Sequence, residues 1–469
     1  MMRTGDPLQV VGVARTGRDN LKAFSLRELD HPTIHPRHGG VVLLVAAMVV
    51  AWLTPVVHAQ FTANYQTNVI SGVNVNWNGD YWVGNLSCAL HVDDGGELSD
   101  NSGYVAGSNS SAVVTGSGSV WSNGVNLVVG PMLFQTGCSG SVVGDSLVIS
   151  NGGAVVDGSA DVDAFVSVYV TGNNVVVTGA GSVWSNQATV SVGDYTPGNS
   201  VVVSDGGQVF ANWTSVGGPV YYTGNNSVVV TGPGSAWMTG IAMIGEGSSS
   251  GNTLVISNGG MVAASSMTIQ GSNSVTLSGG TLVVSNNLFT YAGSLLQGSG
   301  TIRANTDLAG VLSPGNSPGA LTNFGNLTLR RTAVLQFELG GTSQGTGYDF
   351  LFVTNGVLTL NGLLEVGFIN GFATNVLQSD IFTVLAASGG MTGGFADALN
   401  GERLMTEGGE GSFLVNYNQN CNNIGGYLTL SDYMAAEVPE PGTVCLCVVG
   451  LGCLGLARRR QGHRIGVDT

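Results

Sequence analysis

Between residues 60 and 437 the apolar positions fall in short valine-rich runs, such as Ser227-Val228-Val229-Val230, separated by corners rich in Gly, Ser, Asn and Asp. Helical periodicity is absent from this stretch. Val and Thr favour the pleated state. Gly supplies the positive φ of tight corners, and Asn and Asp hydrogen-bond their own backbone in turns. The pattern therefore predicts many short strands and no helix.

The corners recur. Four strands end in the same turn: His91-Val92-Asp93-Asp94-Gly95-Gly96, Val148-Ile149-Ser150-Asn151-Gly152-Gly153, Val202-Val203-Ser204-Asp205-Gly206-Gly207 and Val255-Ile256-Ser257-Asn258-Gly259-Gly260. A second unit alternates with them: Val114-Thr115-Gly116-Ser117-Gly118-Ser119-Val120-Trp121, Val177-Thr178-Gly179-Ala180-Gly181-Ser182-Val183-Trp184 and Val230-Thr231-Gly232-Pro233-Gly234-Ser235-Ala236-Trp237. Gly152 and Gly206 are 54 residues apart, Gly206 and Gly259 are 53, and the half-step from Val177 to Val203 is 26. A period in this range marks a solenoid. The fold class read from it is all-β, a right-handed parallel β-helix in which each half-repeat is one coil, about 4.8 Å above the last. Val and Ile at matching positions build the core. Residues 60–300 are the regular repeats. Residues 301–437, richer in Leu and Phe, read as final coils and a cap over the open end, with Asn420-Cys421-Asn422-Asn423 as a polar loop before a last strand at Tyr427 to Leu430.

The two ends break the pattern. Val41 to Leu53 is apolar and uncharged, follows Arg37 and His38, and leads to Val57-His58-Ala59. This predicts a signal helix in residues 1–59, with cleavage after Ala59 and a mature chain from Gln60. The long leader ahead of it implies either an extended basic region or a downstream start. At the other end, residues 438–460 hold Val438-Pro439-Glu440-Pro441, an apolar run from 443 to 457, and Arg458-Arg459-Arg460, before a short tail, 461–469. The run is shorter than the roughly 20 residues of a spanning helix and is interrupted by Gly. The arginines favour the cytoplasmic side. The reading is a transmembrane sorting helix that holds the chain temporarily, against the alternative of a buried core helix.

Charge narrows the chemistry. Between 60 and 441 there are four Arg, no Lys and 24 Asp or Glu, a net charge of −20. Nucleic acid and anionic lipid are excluded as partners of this part. His91 is its one histidine, so multi-histidine metal sites are excluded, as is any nucleophile–histidine arrangement without His91. P-loop chemistry lacks its lysine, and Gly245-Glu246-Gly247 reads as a corner. Paired carboxylates remain. Asp161 and Asp163 are expected to share one side of a strand, and Asp93 and Asp94 share a turn; either pair suits acid–base work or Ca²⁺. Against this, solvated loop carboxylates are commoner, and no calcium-binding repeat is present. No cofactor is expected. Trp121, Trp184 and Trp237 read first as an aromatic column packed at successive coils, and second as a sugar platform. Cys88, Cys138 and Cys421 lie outside the terminal segments; a Cys88–Cys138 bridge and unpaired thiols are both open.

Two resemblances extend this reading. The tail, from Val438-Pro439-Glu440-Pro441 to Arg458-Arg459-Arg460, resembles the PEP-CTERM signal of Gram-negative bacteria that carry an exosortase. The Val-Thr-Gly-x-Gly-Ser-x-Trp and Ser-Asp/Asn-Gly-Gly units look like repeats shared by type V secreted passengers and PEP-CTERM proteins. Gly310 to Gly319, Leu335 to Gly341, Gly347-Tyr348-Asp349 and Val357 to Gly362 resemble a segment near the end of autotransporter-like β-helices. No translocator barrel follows, because about eight strands do not fit before the tag. The resemblance implies export, transient membrane retention, processing by an exosortase-type enzyme and display at the cell surface or in the extracellular matrix. The expected function is a non-catalytic structural or adhesive protein, with exopolysaccharide or other surface glycans as partners. The alternative is a polysaccharide-active β-helix enzyme with paired carboxylates.

Overall fold

The computed structural model describes residues 64–130, 144–163, 172–219, 224–419 and 426–436. The expected signal helix and sorting helix lie outside these residues. Among the described residues there is no α-helix, only a 3₁₀ turn at Phe372–Thr374, and no helix is long and apolar enough to cross a membrane.

The strands wind into a parallel β-solenoid with three faces. On the first face Thr67–Ser71 pairs in parallel with Ala89–Asp93, followed by Ser111–Thr115, Ser146–Ser150, Asn174–Thr178, Ser200–Ser204, Ser227–Thr231 and Thr253–Ser257. The second face stacks Glu97–Asp100, Val120–Asn123, Ala154–Asp157 and Val183–Asn186. The third stacks Gly103–Ser108, Asn126–Val129, Ser159–Val162 and Thr189–Val192. The long strand Gln208–Val216 bends to serve the second and third faces together. Val177 lies in register with Val203, and Val230 with Ile256, so the 26-residue half-step is one coil.

Alternate residues of each strand point inward and are buried: Leu147 and Ile149, Val175 and Val177, Val201 and Val203. The tryptophans do not form the unbroken aromatic column expected from the sequence. Trp121 is in register with Val155, Val155 with Trp184, Trp184 with Val209 and Val209 with Trp237. A bulky ring in one coil is thus matched by a small side chain in the next, which keeps the interior filled at a fixed coil spacing. Trp121, Trp184 and Trp237 are at most 2% exposed, which rules them out as a sugar platform.

The corners explain the repeated motifs. Asp94, Asn151, Asp205 and Asn258 have φ of 51–52°, and the glycine after each also has positive φ. Two successive left-handed residues suit Asn or Asp followed by Gly. The second glycine is fixed by close approach, since a Cβ on Gly207 would lie 2.4 Å from the Val177 carbonyl oxygen of the previous coil. The alternating units interlock. The amide of Gly95 donates to Ser119 Oγ, that of Gly152 to Ser182 Oγ and that of Gly206 to Ser235 Oγ, at 3.0–3.1 Å. This contact between unlike corners is why the full period spans two coils.

A buried asparagine ladder runs along the corner before the first face. Asn173, Asn199, Asn226, Asn252 and Asn273 are at most 3% exposed. Each of the first four donates both its backbone amide and its Nδ2 to Oδ1 of the next asparagine. Asp145 heads the ladder. Its amide donates to Asn173 Oδ1, and its carboxylate accepts from Ser110 N at 2.7 Å and Gly107 N at 3.0 Å. The ladder satisfies corner amides that would otherwise be buried without partners.

Coils continue through Val311–Pro314, Val334–Leu339 and Leu363–Phe368. The regular winding then ends. Phe382–Ala387 pairs antiparallel with Gly426–Ala435, which pairs antiparallel with Gly411–Gln419. Phe368, Phe382, Phe413 and Tyr433 pack against one another edge-on or tilted. This sheet covers the last core layer and occupies strand edges that would otherwise template further pairing.

Candidate functional site

The outward-pointing positions of the third face form one in-register column. It runs Trp82, Tyr104, Val128, Asp161, Ser191, Ser215 and Met243, coil by coil. Although they point away from the core, Val128, Ser191 and Ser215 are buried. Trp82 and Tyr104 stack with centroids 4.0 Å apart.

Asp161 sits in the middle of this column. Ser191 lies in register with Asp161, one coil on, and stands three residues before Asp194. Burial pushes the Asp161 carboxyl up to about 6; the negative Asp194 raises it further and the Ser191 hydrogen bond opposes. Asp194 is raised for the same first reason, burial, with Glu246 adding like charge. No Lys or Arg occurs between residues 60 and 302, so no basic side chain of these coils neutralises the group.

Asp161 and Asp163, expected on one side of a strand, are separated by the structure. The strand ends at Val162, and Asp163 turns inward at the corner. It is fully buried and accepts from the amides of Tyr195 and Thr196 and from the Thr196 hydroxyl. Asp163 thus pins the loop that carries Asp194, and Asp194 replaces it as the acidic neighbour of Asp161. The sequence conceals this pairing, because the two residues belong to successive coils and neither recurs in the repeats. Asp94 occupies a left-handed corner position and accepts from the Ser71 hydroxyl at 3.1 Å, a turn role. His91 lies on the outer side of the first face, in register with Val69 and Val113. Cys88 is buried, its thiol directed at the Leu86 carbonyl; Cys138 and Cys421 lie outside the described residues.

Among the described residues no three His, Cys, Asp or Glu side chains are gathered closely enough to hold a metal by themselves. The third-face cluster can hold a proton, orient hydroxylated ligands or, with its hydroxyls, contribute oxygen ligands.

The remaining sequence-derived sites, cleavage at Ala59 and the tail residues Val438, Pro439, Glu440, Pro441, Arg458, Arg459 and Arg460, lie outside the described residues. No curated protein matches the chain. Residues 437–461 match the family model of the PEP-CTERM protein-sorting motif, and the chain therefore carries a signal for exosortase-dependent export and sorting to the cell envelope.

Proposed function

We propose that this chain is a non-catalytic structural or adhesive protein of the cell surface or extracellular matrix, presented there as an acidic solenoid after exosortase processing. The observation that carries this reading is the match of residues 437–461 to the sorting motif. The repeated corners support it, since their Ser119, Ser182 and Ser235 hydroxyls are spent on amides of the neighbouring coil. Surface glycans, including exopolysaccharide, are the partners this reading favours. The autotransporter-like passenger relationship belongs to the same proposal and is supported by the corner motifs and the parallel winding. The test is fractionation of cells with intact-mass measurement of the surface form. Mature protein beginning near Gln60 and lacking Arg458 to Arg460 supports the proposal; retention of the arginines on surface protein contradicts it.

A second reading has its own support. Asp161, raised to about 6 beside Asp194 on an outer face, is suited to proton donation near neutral pH. A polysaccharide-active enzyme would use this pair as acid and base. Release of reducing sugar from bacterial or plant polysaccharides, abolished by Asp161→Asn, would establish it over the first.

A further inference from the structure

The two ends of the solenoid differ. At the C-terminal end the last strands are occupied. Phe382–Ala387 is paired with Gly426–Ala435, and the chain crosses the edge of Leu363–Phe368, where Ala396 N donates to the Gly362 carbonyl and Glu407 N to the Val366 carbonyl. At the N-terminal end, among the described residues, Thr67–Ser71 and Asn74–Asn76 each pair with a strand of the next coil and with no other.

The printed direction of the backbone groups fixes what is left over. Ala89 N donates to the Gln66 carbonyl and Gly72 N to the Asp93 carbonyl. The even-numbered residues of the first strand thus face the second coil, and Thr67, Val69 and Ser71 turn their amides and carbonyls to the open side. Glu97 N donates to the Val73 carbonyl and Trp77 N to the Ser99 carbonyl, which leaves Asn74 and Asn76 in the same position. All five residues are exposed, Val69 at 60%. Proteins blunt such an edge with charge, Pro or a covering segment, because it templates further pairing. Residues 64–86 contain one charged residue, Asp80, and no Pro. One coil takes 22 residues, from Thr67 to Ala89. The cleavage expected after Ala59 leaves four residues, 60–63, ahead of this edge, too few to add a coil.

We propose that this edge is a homodimer interface, closed head-to-head by a second copy of the chain. A two-fold axis at Val69 sets Thr67 of one copy opposite Ser71 of the other in antiparallel register, which uses the free backbone groups of all three residues. One end of each chain is open, so pairing stops at two copies and does not continue into a filament. With Asp80 as its lone charge, the edge keeps the net charge of −20 away from the contact. The dimer is independent of the choice between an adhesive and an enzymatic role.

Sedimentation equilibrium of the exported protein provides the test, in mild detergent so that the apolar run 443–457 does not itself associate. A mass of two chains is expected, with no larger species. Val69→Pro removes an amide that points to the open side, a change an edge strand tolerates. It takes one hydrogen bond from each copy and should weaken association by about tenfold or more. If Val69→Pro misfolds by circular dichroism, Val69→Lys carries the test, since it sets like charges together at the edge. Leu377→Lys, equally exposed at 60% but near the opposite end, should leave the dimer intact. A monomer at every concentration, species larger than two, a dimer unchanged in the folded Val69 variant, or one dissociated equally by Leu377→Lys overturns the proposal.

Discussion

The indole Nε1 of Trp184 donates to Oδ2 of Asp157, one coil earlier, at 2.9 Å. The same relationship joins Trp121 to Asp100 at 2.6 Å. In the third repeat Ala211 takes the place of the aspartate, and Trp237 donates instead to Thr214 Oγ1 at 3.1 Å. Each tryptophan thus fills the core of its own coil and ties it to the coil before. Trp184→Ala should destabilise the protein by about 3–5 kcal/mol, measured by chemical denaturation. Trp184→Phe keeps most of the packing but removes the indole donor to Asp157, and should cost about 1–3 kcal/mol.

The same carboxylates set a pH dependence. Burial raises Asp100 and Asp157 to about 7, against the indole hydrogen bonds that lower them. An unfolded aspartate titrates near 3.9. The folded protein therefore holds more protons than the unfolded chain between these values, and stability falls as pH rises from about 4 through about 7. Melting temperature measured across this window should decline, and Asp157→Asn should flatten part of the decline. A melting temperature that rises with pH would contradict the assignment.

Close approach, rather than φ alone, governs the corner glycines. Gly207→Ala drives a methyl into the Val177 carbonyl and should cost about 3 kcal/mol or more. Gly95→Ala meets no atom within 4 Å and faces only a φ of +78°, for which about 1 kcal/mol is expected. Denaturant midpoints of the two variants give the comparison.

Asp145 heads the asparagine ladder because both of its oxygens meet N–H donors. Asp145→Asn sets an amide donor against one of those donors and should lose about 1–3 kcal/mol despite its matching shape. Asn226→Ala removes both the Oδ1 that accepts from Asn199 and the Nδ2 that donates to Asn252 and should lose at least as much. Thermal melts of the two variants check both expectations.

How much of this was legible in the sequence depended on whether a contact recurs. The in-register pairing of Val177 with Val203 could be read directly, because strand and corner repeat together. The turn roles of Asp94 and Asn258 were legible from the glycines that follow them. The asparagine ladder was not, since Asn199 and Asn226 look like ordinary turn residues. Its signal is an Asn placed immediately before each first-face strand at the coil period, as in Asn199-Ser200-Val201 and Asn252-Thr253-Leu254. The neighbourhood of Asp161 and Asp194 was concealed for the opposite reason: it occurs once, and proximity across coils leaves no periodic trace. The alternation of Trp and Val was half visible, since the tryptophans are spaced at the double period and so skip every second coil.

The central claim is that coils stack in parallel with a double-coil repeat, so that residues 174–226 form one removable unit whose deletion joins Asn173 to Ser227, the first residue of a strand equivalent to Asn174–Thr178. Deleting these 53 residues from the full chain should leave a protein that melts cooperatively, with a maximum dimension by small-angle scattering shorter by about 10 Å, two coil spacings. Loss of cooperative melting, or a dimension unchanged by the deletion, would contradict the stacking.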